Sequence, residues 1–279
     1  MRHRDTSDGA WWLYERRPHP VLAPYVSVYE DYGSTITATR RDRHFPFGGL
    51  PLIWTFEGHL DQVDLATGAL TPSNDFIAGM HDVPANTETS GATRGVQVNL
   101  TPIGARMLLG ISMHELTNSF IPIDACPTGD WLQLGEQLQH ATSTESRFEL
   151  LDAFFLQRFA RASAVPEGIA WAWNQIATSY GAVSVSRLTD TLGISRKRIV
   201  SDFREYVGLP PKTLARVVRF NRALRLIERR DRPVAWTRVA AECGFYDQAH
   251  LIREVRAFTG DTPTQLLRRL LPYQIAIAR

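Results

Sequence analysis

Between residues 184 and 269 the apolar and polar positions follow a rhythm that occurs twice. The first copy reads Val185, Leu188, Leu192, Gly193, Ile199, Phe203, Gly208, Pro211, Leu214. The second reads Trp236, Val239, Cys243, Gly244, Leu251, Val255, Gly260, Pro263, Leu266. The offset is 51 residues as far as the first glycine and 52 from Ile199 onward, so one residue is inserted after the second turn glycine. Apolar and Gly/Pro punctuation is kept while polar residues change, which marks a duplicated supersecondary unit.

Each copy predicts a short helix (Ser186 to Leu192, Val234 to Cys243) ended by a glycine able to turn left-handed. A Ser or an Asp then caps a second helix, which carries an i, i+4 apolar pair, Ile199 with Phe203 or Leu251 with Val255. So short a turn between two helices suits a helix-turn-helix. A linking helix is expected from about Pro211 to Arg230, with Leu214, Val217, Val218, Leu224 and Ile227 on its apolar face.

The first half patterns differently. YVSVYE alternates like a strand, and further strands are expected at Leu50 to Phe56, after a turn at EGHLD, at DFIAGM and at GVQVNL. Residues 1–10 are polar and read as mobile. Short spacing favours a compact antiparallel sheet or barrel. From Pro102 the period becomes helical, at GARMLLG, MHELTNSF, Trp131 to His140, Glu145 to Ala162 and Pro166 to Thr178. The expected fold is therefore α+β: a β-rich, barrel-like N-terminal domain followed by helices, then an all-α C-terminal domain. The division is 1–180, β-rich to about 100 and helical over 102–180, and 181–279.

Charge sharpens that division. Residues 184–269 hold 18 Lys and Arg against 9 Asp and Glu, a net +9, which leaves −7 for the rest of a +2 chain. A basic module beside an acidic remainder is what a nucleic-acid-binding domain joined to another domain produces. Arg196, Lys197 and Arg198 fill the first turn of a helix capped by Ser195. Cations there oppose the helix dipole, an arrangement that makes sense if a polyanion docks at that end. Arg216, Arg219, Arg222 and Arg225 recur every third residue along the linking helix, either as a phosphate-following stripe or as an ordinary wet face.

The strings LGISRKRIVSDFREYVGLPPKTLARVVRF and AAECGFYDQAHLIREVRAFTGDTPTQL resemble the DNA-binding domain of the AraC/XylS family of bacterial transcription regulators. Val255 departs from that family, which usually has a core Phe there. The resemblance implies double-stranded DNA as partner and base-reading faces at Lys197, Val200 and Ser201 in the first recognition helix. In the second they are Gln248, Ala249, His250 and Arg253. Arg196, Arg204, Arg216 and Arg219 join them as DNA contacts. Lys and Arg can read guanine and Gln adenine in the major groove. RRPHP, PLIW, FIAGMHD and GVQVNLTPIGARMLLG resemble, less specifically, the N-terminal region of one branch of the family. They imply a regulatory domain that senses a small effector, with RNA polymerase a further partner and either a monomer or a homodimer.

Trp54, Phe56, Phe76, His81 and Arg94 are the candidate effector-binding residues, aromatic walls with a few polar groups. No catalytic residue, metal set or cofactor is expected. His44, His59, His81 and His114 lack metal-ligand spacing, and there is no nucleophile elbow or phosphate loop. Cys126 and Cys243 are isolated, which suits a reduced cytoplasmic protein. No signal peptide or membrane span is read. Two other readings stand beside the regulator. One is a metal-dependent, cupin-like enzyme with a vestigial DNA module, and the other an effector-free protein whose acidic half binds a protein partner.

Overall fold

A computed structural model describes residues 2–6, 9–126, 130–228 and 235–270 of the chain. The strands among them are β1 (Arg2–Thr6), β2 (Gly9–Arg16), β3 (Val26–Ser34), β4 (Arg40–His44), β5 (Leu50–Val63), β6 (Leu70–Pro72), β7 (Phe76–Ala78), β8 (Ala85–Leu100) and β9 (Phe120–Pro122). They form one antiparallel sheet in the order β1-β2-β3-β8-β5-β7-β9. β4 extends the β3 edge along the first half of β8, and β6 pairs with the far end of β5. Among the described residues no pairing joins β1 to β9.

The centre of the sheet is the β5–β8 ladder, and its register explains the sequence. Leu50, Leu52 and Trp54 alternate into the main core beside Val96, Val98 and Leu100, while Ile53 joins Phe76 and Ala78 in a small cluster on the opposite face. Both faces are covered, so LPLIW reads as a continuous apolar run. The turn expected at EGHLD is not a turn. The register slips at Thr55/Glu57 and again at Glu57/His59, and β5 continues to Val63 as one bulged strand. The segment expected to be mobile includes β1, whose backbone pairs with β2 from Arg2↔Leu13 to Thr6↔Gly9.

Helices follow: α1 (Pro102–Leu109), α2 (Trp131–His140), α3 (Thr144–Arg161), α4 (Glu167–Thr178), α5 (Val185–Leu192), α6 (Arg196–Tyr206), α7 (Pro211–Glu228), α8 (Trp236–Cys243), α9 (Gln248–Thr259) and α10 (Pro263–Leu270). The expected MHELTNSF helix is only a short 3-10 turn at Met113–Leu116 leading into β9. The ends expected at Arg230 and Val234 lie outside the described residues, as do the last residues of the expected 181–279 domain.

The aromatic stripe of α3 is core. Phe148 and Phe155 lie against the Tyr29 ring, with centroids 5.9 and 6.3 Å away, and Phe159 stacks on Tyr25 at 4.5 Å. Such pairs contribute about 0.5–1.5 kcal/mol each beyond the area they bury. A buried ion pair fastens the same helix to the sheet: Arg147 Nη1 donates to Asp31 Oδ2 at 2.9 Å, with both side chains 3% exposed. One hydrophobic cluster runs without a break from Leu22 in the first half to Leu266 in the second. No helix among the described residues is long and apolar enough to cross a membrane.

Candidate nucleic-acid interface

The two repeat units are built alike. α5 ends at Gly193 (φ 65) and α8 at Gly244 (φ 75), and a side chain would be strained in that left-handed conformation. The following helices start on side-chain caps. Ser195 Oγ accepts from the Arg198 N–H at 3.1 Å, and Asp247 Oδ1 accepts from the His250 N–H at 2.6 Å. Ile199 and Phe203 of α6, and Leu251, Val255 and Phe258 of α9, are buried. Val255 seals the second unit as a β-branched residue and is itself 1% exposed.

Burying those faces turns the others outward. On α6, Arg196, Lys197, Ser201 and Arg204 are exposed and Val200 half-buried. On α9, Ala249 and Arg253 are exposed, with Gln248 half-buried in the first turn. Arg196, Lys197, Arg204 and Arg253 have no acidic partner among the described residues, whereas Arg198 is paired with Asp202 at 2.7 Å. The cationic first turn of α6 therefore keeps two unbalanced charges at a helix end whose free N–H groups also favour anions. Tyr246, in the turn before α9, is 93% exposed. It is not among the residues expected from the sequence. Its signal was a large aromatic ring between a turn glycine and a capping Asp, where small polar residues suffice.

Three expected DNA contacts are engaged elsewhere. Arg216 Nε donates to both oxygens of Glu254, at 2.8 and 3.1 Å, and its guanidinium lies 5.1 Å from the Phe258 centroid. Arg219 donates to the Gly181 carbonyl at 2.8 Å and lies over Phe245. Arg222 continues the series, 4.6 Å from the Tyr180 centroid. Arg216, Arg219 and Arg222 of the stripe thus clamp α7 to its neighbours. His250 is also turned inward: its Nδ1 accepts from the Tyr246 N–H, its ring packs edge-on against Phe245, and its Nε2 lies 3.7 Å from Glu254.

Residues 188–269 match a family described as a helix-turn-helix domain, and this stretch is the double unit just described. The chain carries a helix-turn-helix domain over that stretch. It is a DNA-binding transcription regulator. Residues 14–122 match a domain of unknown function, DUF6597. Similar solved structures include ToxT from Vibrio cholerae O395, at 12% identity over 95% of this chain and 99% of that one, with a TM-score of 0.46. Another is ToxT from V. cholerae strain SCE256 bound to an unsaturated fatty acid, at 12% identity, 99% of both chains and a TM-score of 0.48. A probable AraC family regulator from Rhodopseudomonas palustris CGA009 is 27% identical over 37% of this chain and 97% of that one, with a TM-score of 0.33. No curated protein matches the chain.

In this regulator the sheet half grips the helix-turn-helix half at several points. Phe45 meets Phe220 of α7 edge-on at 6.3 Å, and Asn221 Nδ2 donates to the Pro46 carbonyl at 3.0 Å. Arg106 pairs with Glu205 at 3.3 Å and covers the Tyr206 ring at the end of α6. Thr117 Oγ1 donates to the Gly208 carbonyl at 2.8 Å, just past that end. Arg43 Nη1 donates to the Thr259 carbonyl at 3.0 Å, at the end of α9. α6 and α9 are thus both held at their C-terminal ends, and these contacts leave their first turns uncovered.

The five candidate effector residues do not converge. Trp54 and Phe56 line a cavity of about 200 Å³ between β5 and α2, together with Thr55, Asp75, Leu132, Gly135, Glu136 and Gln139. Phe76 lies on the other face of the sheet, packed edge-on against Phe120 at 5.8 Å. Arg94 is partly exposed and 3.7 Å from Glu57. His81 is held below its ordinary pKa by burial, and His44 beside it likewise, with His44 Nε2 2.8 Å from Thr87 Oγ1. Phe76, His81 and Arg94 do not line the Trp54 cavity: alternation turns Phe76 of β7 to the other face of the sheet, His81 lies beyond the end of β7, and Arg94 sits on β8. Among the described residues no three His, Cys, Asp or Glu gather as a metal-binding group.

Proposed function

We propose that the regulator is sequence-specific and reads two neighbouring major grooves, one with α6 and one with α9. Lys197, Val200, Ser201 and Arg204 form the first reading face, and Gln248, Ala249 and Arg253 the second, with Tyr246 at its edge. Arg196 supplies a phosphate contact at the start of α6. The observation that carries this reading is the pair of capped helices with outward, unpaired cations, both anchored on one linking helix. At 18 residues, α7 is about 27 Å long, comparable to the roughly 34 Å between successive major grooves on one side of a duplex. A single chain then covers two half-sites, with RNA polymerase and a second copy as further partners in the promoter complex.

Control by a small effector fits the same layout. The sheet half holds the C-terminal ends of α6 and α9 and the middle of α7, so any ligand that shifts the sheet half changes the angle between the reading heads. Coupling of this kind amounts to about 1–3 kcal/mol in typical allosteric proteins.

The base-reading role is tested at Arg253. Arg253→Ala is expected to weaken binding to a selected cognate duplex by about 1–3 kcal/mol and to relax base preference at one position. Titrations against cognate and scrambled duplexes at fixed salt check it. Equal loss on both would make Arg253 a phosphate contact and sink its assigned role.

A further inference from the structure

We infer that the cavity between β5 and α2 is a binding site for a small organic cation; as an effector site it rests on the regulatory reading above. Its apolar walls are Phe56 from the strand and Leu132 from the helix, and Trp54, only 1% exposed, reaches it marginally. Gly135 sets the spacing, since a Cβ there would stand 2.8 Å from Trp54 Cδ1 and force the helix away from the indole.

The charged groups share one sign. Asp75 and Glu136 are carboxylates, Gln139 is neutral, and no Lys, Arg or His among the described residues lines the cavity. Asp75 Oδ1 accepts from the Thr55 N–H at 2.8 Å, which leaves its other oxygen without a protein partner among the described residues. Burial pushes the Asp75 carboxyl above the usual carboxylate range, as it does when no cation stands beside a half-buried acid. The Arg147 guanidinium lies 5.6 Å from the Phe56 centroid and is committed to Asp31 and to the Leu138 and Ala141 carbonyls.

An aromatic ring such as Phe56 beside uncompensated carboxylates recognises an ammonium group, through ring quadrupole and charge-assisted hydrogen bonds together. An anionic ligand would set its charge against two carboxylates. At about 200 Å³ the cavity is below the roughly 300–1,000 Å³ of drug-sized sites, so the cation is single-ring or smaller.

The experiment is calorimetric titration of the full chain with 2-phenylethylammonium, and with phenylacetate as the size-matched anion. The amine is expected to bind and the anion not. Asp75→Asn and Glu136→Gln are each expected to weaken the amine about tenfold or more, as removal of a charged hydrogen-bond partner does. Glu136 is exposed, so its variant reports on the site even if Asp75→Asn disturbs the Thr55 backbone. Equal binding of the anion, unaltered amine binding in the double variant, or no amine binding up to about 10 mM would overturn the proposal. DNA affinity with and without the amine is read separately: an amine that binds but leaves DNA affinity unchanged keeps the site and removes only its effector role.

Discussion

Replacing Arg147 with alanine is expected to destabilise the chain by about 3–5 kcal/mol, the range for breaking one side of a buried ion pair. The guanidinium donates to Asp31 Oδ2 at 2.9 Å, to the Leu138 carbonyl at 2.9 Å and to the Ala141 carbonyl at 3.0 Å. It thereby joins β3, the end of α2 and the start of α3. Without it, Asp31 keeps the Thr144 hydroxyl as a donor, and the Leu138 and Ala141 carbonyls lose the guanidinium. Asp31→Asn with Arg147→Met removes both charges and is expected to lose clearly less than the single alanine variant. Denaturant unfolding of the unaltered chain, Asp31→Asn, Arg147→Met and the double variant measures the coupling, with Arg147→Ala unfolded alongside them. A loss below about 1 kcal/mol in Arg147→Ala, the level of an exposed pair, would contradict the burial described here.

Phe220→Ala is expected to be as damaging, at about 3–5 kcal/mol, because it opens a cavity where three elements meet. The ring is fully buried on α7, edge-on to Phe45 from the sheet half and 5.1 Å from Phe258 of α9. Truncation therefore loosens the grip of the sheet half on the linking helix and the seat of the second recognition helix together. Phe220→Leu keeps most of the volume and should lose less than about 1.5 kcal/mol. Guanidinium unfolding followed by far-ultraviolet dichroism gives both values. If the two substitutions are equally mild, Phe220 is not the shared packing point.

The reading half was legible because its punctuation is chemical. Gly193, Ser195, Gly244 and Asp247 occupy positions where a left-handed turn or a cap requires such residues, and the i, i+4 apolar pairs fix which faces are buried. The arginine stripe was legible as charge but not as contact. Glu254, Phe258, Phe245 and Tyr180 reach it from other elements, and spacing along α7 carries no trace of them.

The sheet half was legible only where it is apolar. RRDRH in β4 and ANTETSGATRG at the start of β8 are held by backbone pairing across a polar ladder, so no alternation announces them. The effector residues failed for a related reason. Trp54 and Phe76 both read as aromatic strand positions, but register puts them on opposite faces of one sheet. The carboxylates of the cavity come from the loop before β7 and from α2, and only the fold brings Asp75 and Glu136 together.

Hydroxyl-radical footprinting of the full chain on a duplex selected from a random pool tests the central claim most directly. The account predicts two protected patches on one side of the duplex, about 10–10.5 base pairs apart centre to centre, already present at a stoichiometry of one chain per duplex. Lys197→Ala should fade one patch and Arg253→Ala the other. A single patch that both substitutions weaken alike, or two patches on opposite sides of the duplex, would contradict it.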